Sequence, residues 1–241
     1  MNVALIEDKL VVISKPIGVS VYDFNFDLHF RTTHPYNFEN EETCVLRVGP
    51  IPDYEREFRE QAERGLRLVN SPAEHVCASD LETWYEKLID LTPKSRVFAE
   101  LPSVDEIETC FSWPVFLKGS RQTSKHAPDL CVINDPTHYN RVSESYRSDP
   151  ILHWQRPVVR EFVPLVPVPR EVPGKIKPSL EFWSFWWRGQ CVGWGQYWYQ
   201  IPRYEAADVE VGLSVARNAA MRSKLHSWWW TSPRLLLESG S

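Results

Sequence analysis

The chain has 241 residues and a mass of 28.1 kDa, with 43% hydrophobic, 24% charged and 13% aromatic residues. This composition is typical of a globular protein with one large or two small domains, and it excludes a disordered, collagen-like or coiled-coil chain. The 27 basic and 32 acidic residues give a net charge of −5 without a basic block, which argues against nucleic acid or an anionic membrane as the main partner.

Cysteine spacing and hydropathy indicate the compartment. The five cysteines are dispersed and never spaced as C-x-x-C, so neither a disulfide framework nor a structural zinc site is predicted. The histidines show no ligand spacing, and we assign none of them to a metal. The N-terminus lacks a signal-peptide core, and no stretch reaches the roughly 18 uncharged apolar residues of a membrane span. We therefore expect a soluble, cytoplasmic protein.

The first ninety residues alternate between strand and helix patterns. Residues 44–48 predict a short strand, 53–64 a capped helix and 66–70 a second strand, which together form a βαβ unit. The apolar face of that helix consists of Tyr54, Phe58 and Ala62. Residues 80–90 predict a second amphipathic helix. This part of the chain is expected to be a small α/β layer.

From Pro114 onward, longer strand patterns alternate with polar loops. Strands are predicted at 114–118, 130–134 and 158–166, with a helix at 136–147 between the second and third, and this order suggests a mixed sheet. Two aromatic-rich segments, 180–187 and 190–198, flank Gly189 and predict a β-hairpin, and a helix follows at 205–222. We place the domain boundary in the loop after the helix at 80–90, between residues 95 and 96.

Tryptophan is concentrated in the last quarter of the chain, where eight of the eleven lie after residue 180. Aromatic side chains occupy both faces of the segment 180–187, as in a central strand that is covered on both sides. Core packing is one interpretation. The alternative is a platform on which a sugar or a base stacks.

The polar loop at 119–129 follows a strand and carries four basic side chains, Lys118, Arg121, Lys125 and His126. A lysine at the end of a strand supplies a point charge for phosphate, and a turn rich in Gly and Ser exposes unpaired N–H groups of the kind that anions seek. The P-loop order of residues is absent. A solvated loop with scattered charge is the alternative.

Charged residues interrupt the apolar strand at 158–165. Alternation puts Arg160 and Phe162 on one face and Glu161 and Val163 on the other. With Glu181, which begins the next strand, and Lys118, these charges could form a cluster across a cleft. A structural ion pair is the alternative to a catalytic site.

The order of these elements resembles the ATP-grasp superfamily, and most closely a divergent bacterial clade of ATP-grasp domain proteins. The local matches are LVNSP (68–72), VFLKGSRQTSKH (115–126), DPILHWQRPVVREFVPL (149–165) and EFWSFWWRGQCVGWGQYW (181–198). The resemblance implies an α/β (α+β) fold in which a small N-terminal α/β domain, residues 1–95, precedes an ATP-grasp domain, residues 96–241, with two subdomains of mixed and antiparallel sheets. It also implies ATP and Mg²⁺ as cofactors, and activation of an unidentified carboxylate substrate as an acylphosphate that an amine or similar nucleophile attacks.

The resemblance assigns roles to individual residues. Lys118 corresponds to the lysine that contacts phosphate, and Arg121 and Lys125 would cover phosphate or the acyl substrate. Glu161, Phe162 and Val163 correspond to the hinge that reads adenine through its backbone. Arg160 and Glu181 correspond to a charged pair that positions phosphate or substrate. We assign Arg160 and Arg121 to catalysis and the other six residues to cofactor binding.

Two departures from the family pattern predict impaired catalysis. The family pattern at the start of the hairpin is Glu-Phe-Arg, whereas this chain has Trp183 in the third position. The family's last strands carry the acids that hold magnesium, whereas this chain reads Trp-Trp-Trp-Thr at 228–231, and no metal ligand is assigned. Because Trp has one codon, the same bases read one position earlier encode Val-Val-Asp as the last three residues, which suggests a frameshift near His226. A non-catalytic protein that binds a protein or carbohydrate partner through the aromatic hairpin is the alternative function.

Overall fold

The structure is a computed structural model. It describes residues 2–6, 10–15, 32–33, 38–124, 127–168, 178–187, 189–198, 206–223 and 227–233. The chain divides into two compact units, Met1–Ser79 and Asp80–Ser241, which are described separately. The functional domain boundary between residues 95 and 96 stays a prediction.

The first unit contains a five-stranded sheet with strand order β3-β1-β2-β4-β5. Its strands are β1 (Asn2–Ile6), β2 (Leu10–Lys15), β3 (Thr32–Thr33), β4 (Glu42–Val48) and β5 (Leu66–Leu68), and its helices are α1 (Tyr54–Ala62) and α2 (Pro72–Ser79). Strands β2, β4 and β5 are parallel, whereas β1 runs antiparallel to β2 and β3. Because β4 and β5 are parallel and α1 connects them, the predicted βαβ unit is confirmed.

Local signals at both ends of α1 act as the sequence predicts. The Asp53 carboxylate accepts a hydrogen bond from the backbone N–H of Arg56 at 2.9 Å, which caps the first turn. Gly65 ends the turn after the helix at φ +79°, and a Cβ there would lie 2.6 Å from the Phe38 carbonyl oxygen. Only glycine fits this position without strain.

The buried face of α1 is rotated away from Ala62, which is exposed, so the predicted apolar face is wrong at that position. Glu57 and Gln61 are buried instead. Glu57 accepts hydrogen bonds from Lys15 Nζ at 2.6 Å and from Gln61 Nε2 at 2.8 Å. Such pairing offsets the cost of burying polar groups, and an apolar periodicity cannot reveal it.

The second unit contains two antiparallel sheets with strand orders β6-β9-β7-β8 and β11-β10-β12. Its strands are β6 (Ser95–Val97), β7 (Val115–Gly119), β8 (Val132–Ile133), β9 (Pro157–Glu161), β10 (Glu181–Trp187), β11 (Gln190–Gln196) and β12 (Ser227–Pro233). Its helices are α3 (Leu81–Trp84), α4 (Val104–Glu108), α5 (Pro136–Ser148) and α6 (Ala206–Ser223), with 3₁₀ segments at Tyr85–Leu91 and Pro128–Leu130. Since every pairing of described strands in this unit is antiparallel, the mixed sheet predicted from residue 114 onward is wrong here.

Burial alternates along the strands of the four-stranded sheet. Val115 and Leu117 on β7 are fully buried, together with Val159 on β9, whereas Phe116 and Lys118 are half-buried. Side chains of a strand point alternately to the two faces of its sheet. One face therefore forms the core, and the other offers half-open positions between the strands.

The predicted hairpin and the helix after it are confirmed as β10, β11 and α6. Along β10 the buried residues are Phe182, Ser184 and Trp186, and α6 approaches so closely that a Cβ on Gly212 would lie 2.9 Å from the Phe182 ring. Phe185, on the opposite face, is 50% exposed. The expectation that both faces of this strand are covered is therefore wrong, because only one face packs against the helix.

Candidate functional site

Lys118 and Arg160 lie on the same face of the four-stranded sheet. In the antiparallel pairing of β7 with β9, Phe116 is opposite Arg160 and Lys118 is opposite Val158. Residues opposite each other in such a pair point to the same face, and diagonal neighbours are about 7 to 8 Å apart. The two cationic side chains thus share one half-open surface, at a spacing that suits a ligand with several anionic oxygens.

Arg160 is a desolvated cation without an anionic partner among the described residues. Its Nε donates a hydrogen bond to Ser95 Oγ at 2.8 Å, while its Nη2 is buried and makes no hydrogen bond within the described part of the chain. Burial lowers the pKa of Arg160 to about 10. Buried charges in folded proteins are normally paired, so this arrangement favours an anionic ligand.

Arg121 is held in an ion pair. Its Nε lies 3.0 Å from Asp80 Oδ2, and the two side chains are only 16% and 13% exposed. Its guanidinium also lies over the Trp154 ring, 5.9 Å from the ring centroid. The described structure therefore occupies part of the charge that the family resemblance assigns to catalysis.

The first turn of the polar loop has no unpaired N–H groups at residues 119–122, contrary to the prediction. The amide of Gly119 donates to the Gln122 carbonyl, and that of Ser120 donates to the Arg156 carbonyl. The amides of Arg121 and Gln122 both donate to Gln155 Oε1, at 2.9 and 2.8 Å. The turn is thus stabilised by its own protein partners rather than open to an anion. Lys125 and His126 lie outside the described residues.

The predicted hinge residues follow directly on β9. Glu161 is opposite Val115, which puts it on the other face of the sheet from Arg160, and its backbone N–H donates to the Lys94 carbonyl at 2.8 Å. Phe162 and Val163 are half-buried, and within the described residues no hydrogen bond uses their backbone groups. Of the three positions, 162 and 163 are the ones that suit recognition through the backbone.

Glu181 lies at the start of β10 and is 5% exposed. Its Oε1 accepts hydrogen bonds from Ser179 Oγ at 3.0 Å and from Trp198 Nε1 at 3.1 Å. These partners differ from the Ser95 hydroxyl that holds Arg160, so the two members of the predicted charged pair are held by separate groups. Glu181 links the hairpin to the segment before it.

Three residues of this region escape the sequence patterns. Ser95 and Tyr85 hold Arg160, since the Ser95 backbone N–H donates to the Tyr85 hydroxyl at 2.9 Å, and Gln155 holds the loop. Ser95 is 65 positions away from Arg160 in sequence, and no local spacing marks it. Only the pairing of β6 with β9 brings them together.

Metal clusters and membrane spans are absent from the part of the chain that the structure describes. It contains no group of three or more His, Cys, Asp or Glu side chains that could hold a metal ion. None of its helices is long and apolar enough to cross a membrane, and the cytoplasmic location stays a prediction. The five cysteines are free thiols, as predicted, but only Cys44 and Cys131 are buried.

Residues 69–226, well over half of the chain, match the model of an ATP-grasp domain family, the third family of its clade. The chain belongs to this ATP-grasp family. No curated protein matches it by sequence. The α/β architecture and the ATP-grasp fold expected from the resemblance are thereby confirmed.

Solved structures with the ATP-grasp fold resemble this chain at low sequence identity. A RimK domain ATP-grasp protein from Sphaerobacter thermophilus DSM 20745 superposes with a TM-score of 0.54 at 16% identity, over 80% of this chain and 70% of its own. D-alanine–D-alanine ligase from Bacillus anthracis complexed with ATP gives 0.54 at 10% identity, over 80% and 66%. N5-carboxyaminoimidazole ribonucleotide synthetase from Thermotoga maritima gives 0.52 at 12% identity, over 83% and 48%. The ATP-grasp chain thus spans from about half to 70% of the length of these proteins, and the likeness concerns the fold.

Proposed function

We propose that the protein binds ATP on the sheet face that carries Lys118 and Arg160, as an ATP-grasp ligase that joins a carboxylate to an amine or a related nucleophile. The observation that carries this proposal is the desolvated guanidinium of Arg160, which has a buried Nη2 and no anionic partner among the described residues. The family supports it, as does the ATP complex of the structurally similar D-alanine–D-alanine ligase.

The residues divide the work by chemistry. Lys118 supplies a mobile point charge for phosphate oxygens, and Arg160 supplies a planar donor group for phosphate or an acylphosphate. The backbone of Phe162 and Val163 suits the edge of adenine. Arg121, Lys125, Glu161 and Glu181 keep the roles that the family resemblance implies, as part of the proposal.

Mg²⁺ belongs to the proposal as a counter-ion of the nucleotide. Because the described residues contain no acidic cluster, we assign it no protein ligands and derive no step from it. We further propose that turnover is impaired, because Trp183 occupies the position where the family pattern has an arginine. An arginine there would help to neutralise the transferring phosphoryl group.

The test is nucleotide binding by calorimetry, with thermal unfolding as a second measurement. ATP with Mg²⁺ at 100 times its dissociation constant should stabilise the fold by about 2.7 kcal/mol. The Arg160→Met variant should lose this stabilisation, whereas Arg147→Met, which alters a 58% exposed arginine on α5, should keep it. The proposal fails if the wild-type chain shows neither heat of binding nor stabilisation with ATP.

The alternative function is a non-catalytic binding protein that uses the aromatic hairpin. Phe185 and Trp194 are 50% and 52% exposed, and Trp183 stacks on Tyr197 with ring centroids 5.0 Å apart. Opposite Trp183 stands Gly195, where a Cβ would meet nothing within 4 Å. Flat aromatic surfaces of this kind suit sugars. Stabilisation by oligosaccharides but not by ATP, with loss of the effect in Phe185→Ala, would favour this alternative.

A further inference from the structure

Ser95 is the only hydrogen-bonding partner of the Arg160 side chain within the described residues, and it is itself held in place from two sides. Its hydroxyl donates to the Pro93 carbonyl at 2.9 Å and accepts from Arg160 Nε at 2.8 Å. Its backbone N–H donates to the Tyr85 hydroxyl at 2.9 Å. Since the hydroxyl hydrogen is directed at Pro93, a lone pair of Ser95 Oγ faces the guanidinium. This fixes the plane of the Arg160 head group.

We propose that Ser95, supported by Tyr85, is a positioning residue that presents Arg160 to an anionic group of the ligand, a phosphate or a carboxylate, while leaving its charge uncompensated. The inference rests on the proposed function, whose anionic ligand it concerns. It adds two residues that neither the sequence nor the family resemblance assigns.

The neutral character of this partner sets Arg160 apart from other arginines of the same unit. Arg121 is paired with Asp80, Arg156 with Glu82, and Arg222 with Asp90. A carboxylate at position 95 would pair with Arg160 in the same way and would compete with an anionic ligand for the guanidinium. A hydroxyl orients the guanidinium through Nε and leaves the charge, together with Nη2, available to a ligand.

Four variants of the intact chain separate orientation from charge, with ATP and Mg²⁺ as the probe in calorimetry. Ser95→Ala should weaken ATP binding about tenfold, because a hydrogen bond to a charged group is lost. Ser95→Thr keeps the hydroxyl and should bind within about threefold of wild type. Ser95→Asp should bind at least about thirtyfold more weakly although its fold is as stable or more stable. Ser143→Ala, which removes an α5 hydroxyl that bonds only its own helix, is the matched control and should bind like wild type.

A purely structural role for Ser95 predicts a different pattern. In that case Ser95→Ala would lower stability without changing ATP affinity, and Ser95→Asp would not weaken binding; either result overturns the inference while ATP binding by the wild type stands. In an Arg160→Met background, the effect of Ser95→Ala on affinity should disappear, and a remaining tenfold loss would also overturn it.

A ligand-free measurement decides the inference even if the wild type fails to bind ATP, which would refute the proposed function. The Nε–H signal of Arg160 in ¹⁵N NMR, assigned by its loss in Arg160→Lys, should exchange slowly with water in wild type and Ser143→Ala. It should exchange much faster in Ser95→Ala. Equal exchange rates in wild type and Ser95→Ala would show that Ser95 does not hold the guanidinium.

Discussion

Lys118 is half-buried on β7, where the aliphatic part of its side chain lies beside Phe116 on the same face of the strand. Truncation to alanine removes a charge that faces the proposed ligand but little packing. We expect Lys118→Ala to weaken ATP binding by about 1.5 to 3 kcal/mol, the range for a charge-assisted contact, with a much smaller change in unfolding free energy. Calorimetry and denaturant unfolding measure the two effects. Lys87→Ala, at an exposed lysine, is the control, and unchanged ATP affinity in folded Lys118→Ala would exclude Lys118 from the site.

Arg160 should destabilise the ligand-free protein, because its positive charge is desolvated without an anion. Methionine fills a similar volume without charge, so we expect Arg160→Met to raise the unfolding free energy at pH 7 by about 1 kcal/mol or more. Arg147→Met, at an exposed site, should change stability little. A wild type that is more stable than Arg160→Met without ligand at pH 7 would contradict this expectation.

The same residue gives this difference a pH dependence. Burial lowers the pKa of Arg160 to about 10 in the folded state, below its ordinary value in the unfolded chain. Above about pH 10 the folded state releases the proton while the unfolded state still binds it, so the wild type gains stability relative to Arg160→Met as the pH rises. Below that pH the difference should be constant. Urea unfolding of both proteins between pH 7 and about 11 measures the trend, and other titrating groups cancel in the comparison.

At the scale of elements, Gln155 connects the loop after β7 to the segment before β9. Its Oε1 accepts two backbone N–H groups of the loop, and its Nε2 donates to the Ile151 carbonyl. Gln155 is 7% exposed, so its loss would leave these groups unpaired in the interior. We expect Gln155→Ala to lower the unfolding free energy by about 2 to 4 kcal/mol.

Glutamate at the same position separates the two kinds of hydrogen bond. Gln155→Glu can still accept the two loop amides, but it cannot donate to Ile151, so its destabilisation should be smaller than that of alanine. Unfolding by urea, with faster amide exchange at residues 121 and 122 in the alanine variant, measures the effect. A Gln155→Ala protein as stable as wild type would show that water replaces the amide without cost.

Elements with strong local signals are predicted well from the sequence, because their determinants lie within a few residues. The caps of α1, the glycine turn of the hairpin and the apolar alternation of β7 are of this kind. The errors arise where a distant partner decides. Ala62 is exposed because Lys15 stabilises a buried Glu57, and Phe185 is exposed because α6 covers only the other face of β10.

At the scale of the whole molecule, the candidate site divides in the same way. Lys118 and Arg160 are found from the sequence through the family motifs, and the register of β7 and β9 puts them on one face. Ser95 and Tyr85 have no such signal, since their contribution is a single hydrogen bond each to residues distant in sequence. The loop amides are the reverse case: composition suggests open donors, and Gln155 from a distant segment occupies them.

Two departures from the family pattern meet across one pair of strands. Trp183 on β10 is the register partner of Thr231 on β12. The family pattern has arginine at the first position, and the bases of residues 228–231, read one position earlier, give aspartate at the second. Opposite charges directly across a strand pair contribute about 0.2 to 1 kcal/mol, so the two family residues would support each other. One frameshift and one substitution would together remove a charged pair.

A double-mutant cycle tests this relation. Trp183→Arg alone loses the stack on Tyr197, and Thr231→Asp alone adds an unpaired carboxylate, so each should lower stability. We expect the double variant to recover about 0.5 to 1 kcal/mol relative to the sum of the single effects. We also expect it to release phosphate from ATP with Mg²⁺ faster than the wild type, since both charges act on the transferring group. Additive stabilities would show that the two side chains do not interact. Fast Mg²⁺-dependent turnover by the unmodified chain would show that neither charge is needed, because the wild type would then stabilise the phosphoryl group with Lys118, Arg160 and their neighbours alone.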